Sequence, residues 1–143
     1  MGLNAYVYRS ADHLPFDFTQ PGVTIDLLTG LVDFDDPELH LLYSDQVVAL
    51  HHRLGNLTHI AELRQEMAAI ANSPVPFVNA RILYSETHCG DYIEISQLDA
   101  LERELEILSA GMKPGLRLVP TFVREFRELI AVARQEGNPI YFG

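Results

Sequence analysis

The stretch HHRLGNLTHIAELRQEMAAI, His51 to Ile70, decides how the middle of this chain is read, because a Gly-Asn pair separates three histidines from a regular apolar repeat. From Leu57 to Asn72 the apolar residues fall at 57, 60, 61, 63, 67, 70 and 71, the three-and-four spacing of an amphipathic helix. Glu62, Arg64, Gln65 and Glu66 occupy its other face. Upstream, PELHLLYSDQVVALHHRL reads as one helix from Pro37 or as two short ones broken at Ser44-Asp45, where Asp45 can cap a second start. Gly55-Asn56 then ends it, which makes the stretch a joint between helices.

Working outward, LNAYVYRS alternates Leu3, Ala5 and Val7 with Asn4, Tyr6 and Tyr8, the period of a strand with one face buried. Ser10 to Pro37 is rich in Pro, Gly and Asp, yet Phe16, Phe18, Ile25, Leu27, Leu28 and Phe34 are too apolar for a disordered tail. An ordered excursion holding a short helix or hairpin is expected. Pro74 and Pro76 stop the helix that begins at Leu57. FVNARILYS, Phe77 to Ser85, follows as a strand, ETHCGD as a loop and YIEI as a short extended piece. Ser96 with Asp99 suggests a capping box for a helix lined by Leu98, Leu101, Leu105 and Leu108, with Gly111 suited to a left-handed end. The last helix, Thr121 to Glu136, stops at Gly137-Asn138-Pro139, and PIYFG can add an edge strand. The expected fold is α+β in one domain covering residues 1 to 143. Its small, mainly antiparallel sheet comes from residues near 3 to 8, 77 to 84 and 139 to 142, and helices near 57 to 72, 97 to 110 and 120 to 136 cover it.

Charge is distributed unevenly. Twenty acidic residues face ten basic ones, for a net charge of −10. Residues 1 to 50 carry Asp12, Asp17, Asp26, Asp33, Asp35, Asp36, Glu38 and Asp45 against Arg9 alone. Such a field repels nucleic acid and anionic lipid and attracts basic surfaces. Cys89 is the only cysteine, so the chain forms no internal disulfide and no thiolate-rich zinc site. No basic leader before an apolar run and no stretch of about 18 apolar residues occurs, and a cytosolic protein is expected. Met1-Gly2 opens like a myristoylation site, but Tyr6 stands where that signal wants Ser or Thr.

Three residue groups are candidates for function. His51, His52 and His59 lack the spacing that puts two imidazoles on one helix face, so capping and surface roles are expected and no metal. His88, Cys89 and Asp91 supply the residue types of a cysteine-based hydrolase or transferase, but chain neighbours in a loop project apart, which favours a structural turn built on Gly90 and Asp91. Asp33, Asp35, Asp36 and Glu38 in DFDDPE lack the central glycine and terminal glutamate of an EF-hand. They read as a solvated helix start or, with Phe34 as an apolar anchor, as a contact surface for a basic protein. No GxxxxGK[ST], GxGxxG or GxSxG is present, and no cofactor is expected.

HRLGN (His52 to Asn56), IAELR, ILYSETHCGD, the leucine-lined helix and the closing GNPIYFG together resemble a family of small bacterial proteins with no assigned chemistry. The likeness spans about residues 50 to 143. Proteins of that sort are similar in size, acidity and want of catalytic motifs to immunity proteins that neutralise toxins inside bacterial cells. The resemblance implies an immunity-like binding protein; the acidic first half, which lies outside the likeness, adds the expectation of a cytosolic protein that occludes a basic toxin. The alternatives are an enzyme at His88, Cys89 and Asp91, and a scaffolding subunit of a homodimer.

Overall fold

The computed structural model describes residues 2–70, 74–85 and 88–143. Leu3–Tyr8 forms β1, whose alternation gives the molecule its two sides. Leu3, Ala5 and Val7 are buried on one face, while Asn4 and Tyr6 stand half-buried on the other. A hairpin follows, Val23–Ile25 (β2) with Val32–Phe34 (β3), and then the strands Val48–Gly55 (β4), Tyr92–Ile93 (β5) and Ile140–Phe142 (β6). The main sheet runs β4-β1-β6-β5, and all three of its pairings are antiparallel. The fold is α+β, as expected, but one strand lies where the sequence pattern put a helix and one helix where it put a strand.

The first correction falls on the opening stretch. Residues 48 to 55 are a strand, not the end of a helix. Tyr8 pairs with Val48 and Val7 with Leu50, so Ala49 is an extra residue bulged out of the ladder. The bulge lets Val48 pack on the outer face beside Tyr8 while Leu50 packs on the inner core, and this breaks the alternation that would have marked the strand. Gly55, at φ 132°, closes the strand where a Cβ would lie 2.6 Å from the His59 ring. Asn56 caps the next helix by accepting from the His59 N–H at 3.0 Å. The Gly-Asn pair therefore joins a strand to a helix.

The second correction is at Phe77 to Ser85, which is not a strand. Pro76–Arg81 is a short helix that starts on a proline at its first position. Its N-cap residue, Val75, makes no side-chain capping bond. The Glu104 carboxylate, buried and 26 residues away from Val78, accepts from the N–H groups of Phe77 and Val78, both at 2.9 Å.

In chain order the helices are α1 (Pro37–Tyr43), α2 (Leu57–Ala68), α3 (Pro76–Arg81), α4 (Leu98–Ala110) and α5 (Leu118–Glu136). The inner sheet face is covered by Ile60, Leu63 and Met67 of α2, the expected leucine stripe of α4, and Phe122, Phe126, Leu129 and Ile130 of α5. Three details differ from expectation. The start of α4 is set by a turn at Ile95–Gln97, whose Gln97 side chain accepts from the Glu94 N–H, and not by Ser96. Gly111 has φ −89°, whereas Gly137 at φ 69° takes the left-handed end. The closing strand β6 lies inside the sheet, between β1 and β5, and not at its edge. Glu66 of α2 caps α5 from outside, accepting from Leu118 N–H at 2.9 Å and Arg117 N–H at 3.0 Å, which is why α5 begins at Leu118. The C-terminal residues 71 and 72 of the expected second helix, and Glu86 and Thr87 of the expected loop, lie outside the described residues.

On the outer face the excursion of residues 10 to 37 folds back as the β2-β3 hairpin. It forms a second, smaller core of Tyr8, Val32 and Val47 with Phe16, Phe34 and Tyr141 against them. At the hairpin tip Gly30 (φ 77°) leaves room for the Asn138 amide, which donates to the Tyr8 carbonyl at 2.9 Å; a Cβ there would lie 2.5 Å from the amide nitrogen. No helix among the described residues is long and apolar enough to cross a membrane.

Candidate binding surface

The hairpin and the helix after it place the acidic run DFDDPE. Asp33 is the middle residue of β3 and exposed. Asp35 holds its backbone to the hairpin, its N–H donating to Gly22 O at 2.9 Å, and leaves its carboxylate in solvent. Asp36 is the N-cap of α1 and accepts from Glu38 N–H at 2.8 Å, so it is a structural residue as well as a charge. Glu38 is exposed in the first turn, where the helix dipole favours an anion. Phe34, expected as the apolar anchor, is half-buried among Phe16, His40 and Tyr43, with ring centroids 6.0 to 6.3 Å away.

The exposed apolar residues of this region are leucines. Leu41 and Leu42 of α1 are 84% and 60% exposed, and Leu27 and Leu28 at the hairpin tip are 96% and 68% exposed. Leu41 and Leu42 follow Glu38 by three and four positions, so one helix face carries the carboxylate and both side chains. Sequence reasoning passed over them, although the signal was present. A helix reading PELHLLY is apolar nearly all round, and a seven-residue surface helix cannot bury every side.

The turn His88 to Asp91 is built differently from a cysteine site. Gly90 N–H donates to Phe142 O and Phe142 N–H donates to Asp91 O, both at 2.8 Å, which locks the turn onto β6. His88 is inside, its side chain only 3% exposed, between the rings of Tyr84 and Phe142. Its Nε2 is bonded to Ile82 O at 2.8 Å, while Nδ1 lies 3.5 Å from an Asp91 carboxylate oxygen and has no hydrogen-bond partner among the described residues. Burial holds this imidazole below its ordinary pKa. Cys89 is exposed. Neither ring nitrogen bonds to its sulfur, and Nε2 is taken by the Ile82 carbonyl, so the nucleophile–base hydrogen bond that cysteine chemistry uses is not formed between these two residues.

The three histidines of the stretch from His51 to Ile70 diverge. On a strand, His51 and His52 project to opposite faces. His51 stacks on Tyr6, with centroids 4.4 Å apart, on the outer side. His52 reaches from the inner side to α5, with Nε2 2.9 Å from Glu128 and Nδ1 3.9 Å from Glu125. His59 lies against Gly55. Among the described residues no group of three or more His, Cys, Asp or Glu side chains is arranged to hold a metal ion. No family model, no curated protein and no solved structure matches this chain.

Proposed function

We propose that this protein is a binding module that docks a basic partner protein on the acidic, leucine-bearing surface around α1. The observation that carries the reading is the pairing of Leu41 and Leu42 with Glu38 on one helix face, next to Asp35 and Asp36. Large exposed apolar side chains ringed by like charge are the composition of an anchor with a steering rim. In its most concrete form the module is a cytosolic immunity protein that covers a toxin's basic surface, the role suggested by the resemblance of residues 50 to 143. The same role fits a chain whose one histidine-cysteine pair is not joined.

Affinity capture from the native cells tests the proposal, using the wild type, a Leu41→Asp and Leu42→Asp variant, and a variant neutralised by Asp33→Asn, Asp35→Asn, Asp36→Asn and Glu38→Gln. Asparagine keeps the cap at position 36. A basic protein retained stoichiometrically by the wild type, lost with the leucine variant and weakened with the neutralised one, is the expected result. Equal retention by all three overturns the assignment.

A further inference from the structure

Resting on that reading of α1, we infer that the chain carries its own complement to the α1 surface and that a second copy docks there head to tail. Across the molecule from α1, a groove of about 440 Å³ runs between the end of α4 and α5. Met112, Pro120, Val123 and Ala131 supply its apolar lining, and Arg124 and Arg127 line it with charge. Neither arginine forms an ion pair with a described residue. Glu128 also lines the groove, but its carboxylate is engaged by His52 of β4 at 2.9 Å. Between Lys113 and Glu128 the chain has four basic residues and two acidic ones, Glu125 and Glu128; Arg117 lies 3.9 Å from the Glu62 carboxylate, and Arg124 and Arg127 are the two arginines of the groove. In a protein of net charge −10, this is a local positive surface with an apolar floor.

The α1 surface matches it feature for feature. Two exposed leucines answer the apolar floor, and Glu38, Asp35 and Asp36 answer the two free guanidinium groups, which bind carboxylates in a fork geometry. The two surfaces cannot meet within one chain. The helix α1 packs on the hairpin that covers the outer sheet face, while α5 packs on the inner face. Contact between copies is therefore heterologous, and it propagates as a ring or an open chain. Self-docking hides the leucines at high protein concentration, and a basic partner competes for them. The assembly is a reserve form of the same docking surface.

Light scattering or sedimentation of the purified full chain, from micromolar to near-millimolar concentration at low salt, tests this. The expected result is a mass that rises with concentration above the 16.1 kDa monomer and falls back on adding salt. Leu41→Asp with Leu42→Asp, and Arg124→Glu with Arg127→Glu, should each give monomers. All four positions are exposed, so folding is not at stake. Mixed together, the two variants keep one intact α1 and one intact groove between them, and should form a 1:1 pair and nothing larger. A wild type that stays monomeric throughout, a groove variant that associates like the wild type, or a mixture that does not pair would each overturn self-docking. If the wild type is monomeric and the leucine variant still loses its basic partner, only this inference falls. If self-association follows the pattern above while the partner binds the leucine variant normally, the partner assignment falls instead.

Discussion

Replacing Glu104 by alanine removes the carboxylate that starts α3 from a different helix. Two charge-assisted hydrogen bonds, to Phe77 and Val78 N–H at 2.9 Å each, are lost together. Bonds of this kind contribute about 1.5–3 kcal/mol each, and the Val78 amide, on a fully buried residue, has no route to water as a substitute. The Phe77 amide, on a half-buried residue, recovers part of its loss through solvent. The net cost is therefore about 3–4 kcal/mol, a large share of the roughly 5–15 kcal/mol that holds a domain folded. At about 4 °C per kcal/mol for a chain of this size, the melting temperature should fall by roughly 12–16 °C. Glu104→Gln keeps one acceptor but turns an amide N–H₂ toward the second donor, and should cost about half as much. Urea unfolding followed by circular dichroism gives both values, with an unchanged m-value as the sign that stability alone has moved. A Glu104→Ala protein within about 0.5 kcal/mol of the wild type, the range of an ordinary surface substitution, would refute the claim that α3 depends on this cap.

Acidification should destabilise the protein through His88. Burial holds its folded-state pKa below the unfolded value of about 6.5, so the unfolded chain takes up the proton first. Stability is then full above about pH 6.5 and declines as the pH falls from there toward the folded value. Unfolding titrations of His88→Leu should show a shallower slope in that window, and an unchanged slope would contradict the assignment. Cys89→Ser, at an exposed position with no bond from His88, should unfold within about 0.5 kcal/mol of the wild type and bind its partner unchanged; loss of a biological activity in this variant alone would favour the enzyme reading. Gly30→Ala requires a left-handed alanine and displaces the Asn138 amide from Tyr8 O. A cost above 1 kcal/mol in the same unfolding assay is expected, and a neutral result would show that the hairpin tip relaxes freely.

Elements that declare themselves by a long, unbroken period were legible in the sequence. The strand at Leu3 to Tyr8, the leucine stripe of α4 and the phenylalanine-leucine face of α5 each bury the residues their spacing selects. What was illegible depended on partners far along the chain. Residues 48 to 55 read as helix because the bulge at Ala49 interrupts their period, and only pairing with β1 reveals the strand. FVNARILY has the β-branched and aromatic content of a strand, but Pro76 at the first position and a cap supplied by Glu104 make it helical, and no local pattern reports a cap 26 residues away. At the candidate surface, the charges of Asp33, Asp35, Asp36 and Glu38 were legible and the anchors were not. Phe34, the more apolar choice by residue type, turns into the hairpin core, and the leucines of a helix too short to hide them take the exposed place.

The claim that α1 is a docking surface is tested most directly by hydrogen exchange on the protein with and without its captured basic partner. Protection on binding should concentrate at residues 33 to 46, with the turn from His88 to Asp91 unchanged. Exchange that slows around residues 88 to 97 while α1 stays as it was would contradict the account and move the functional centre to the histidine turn.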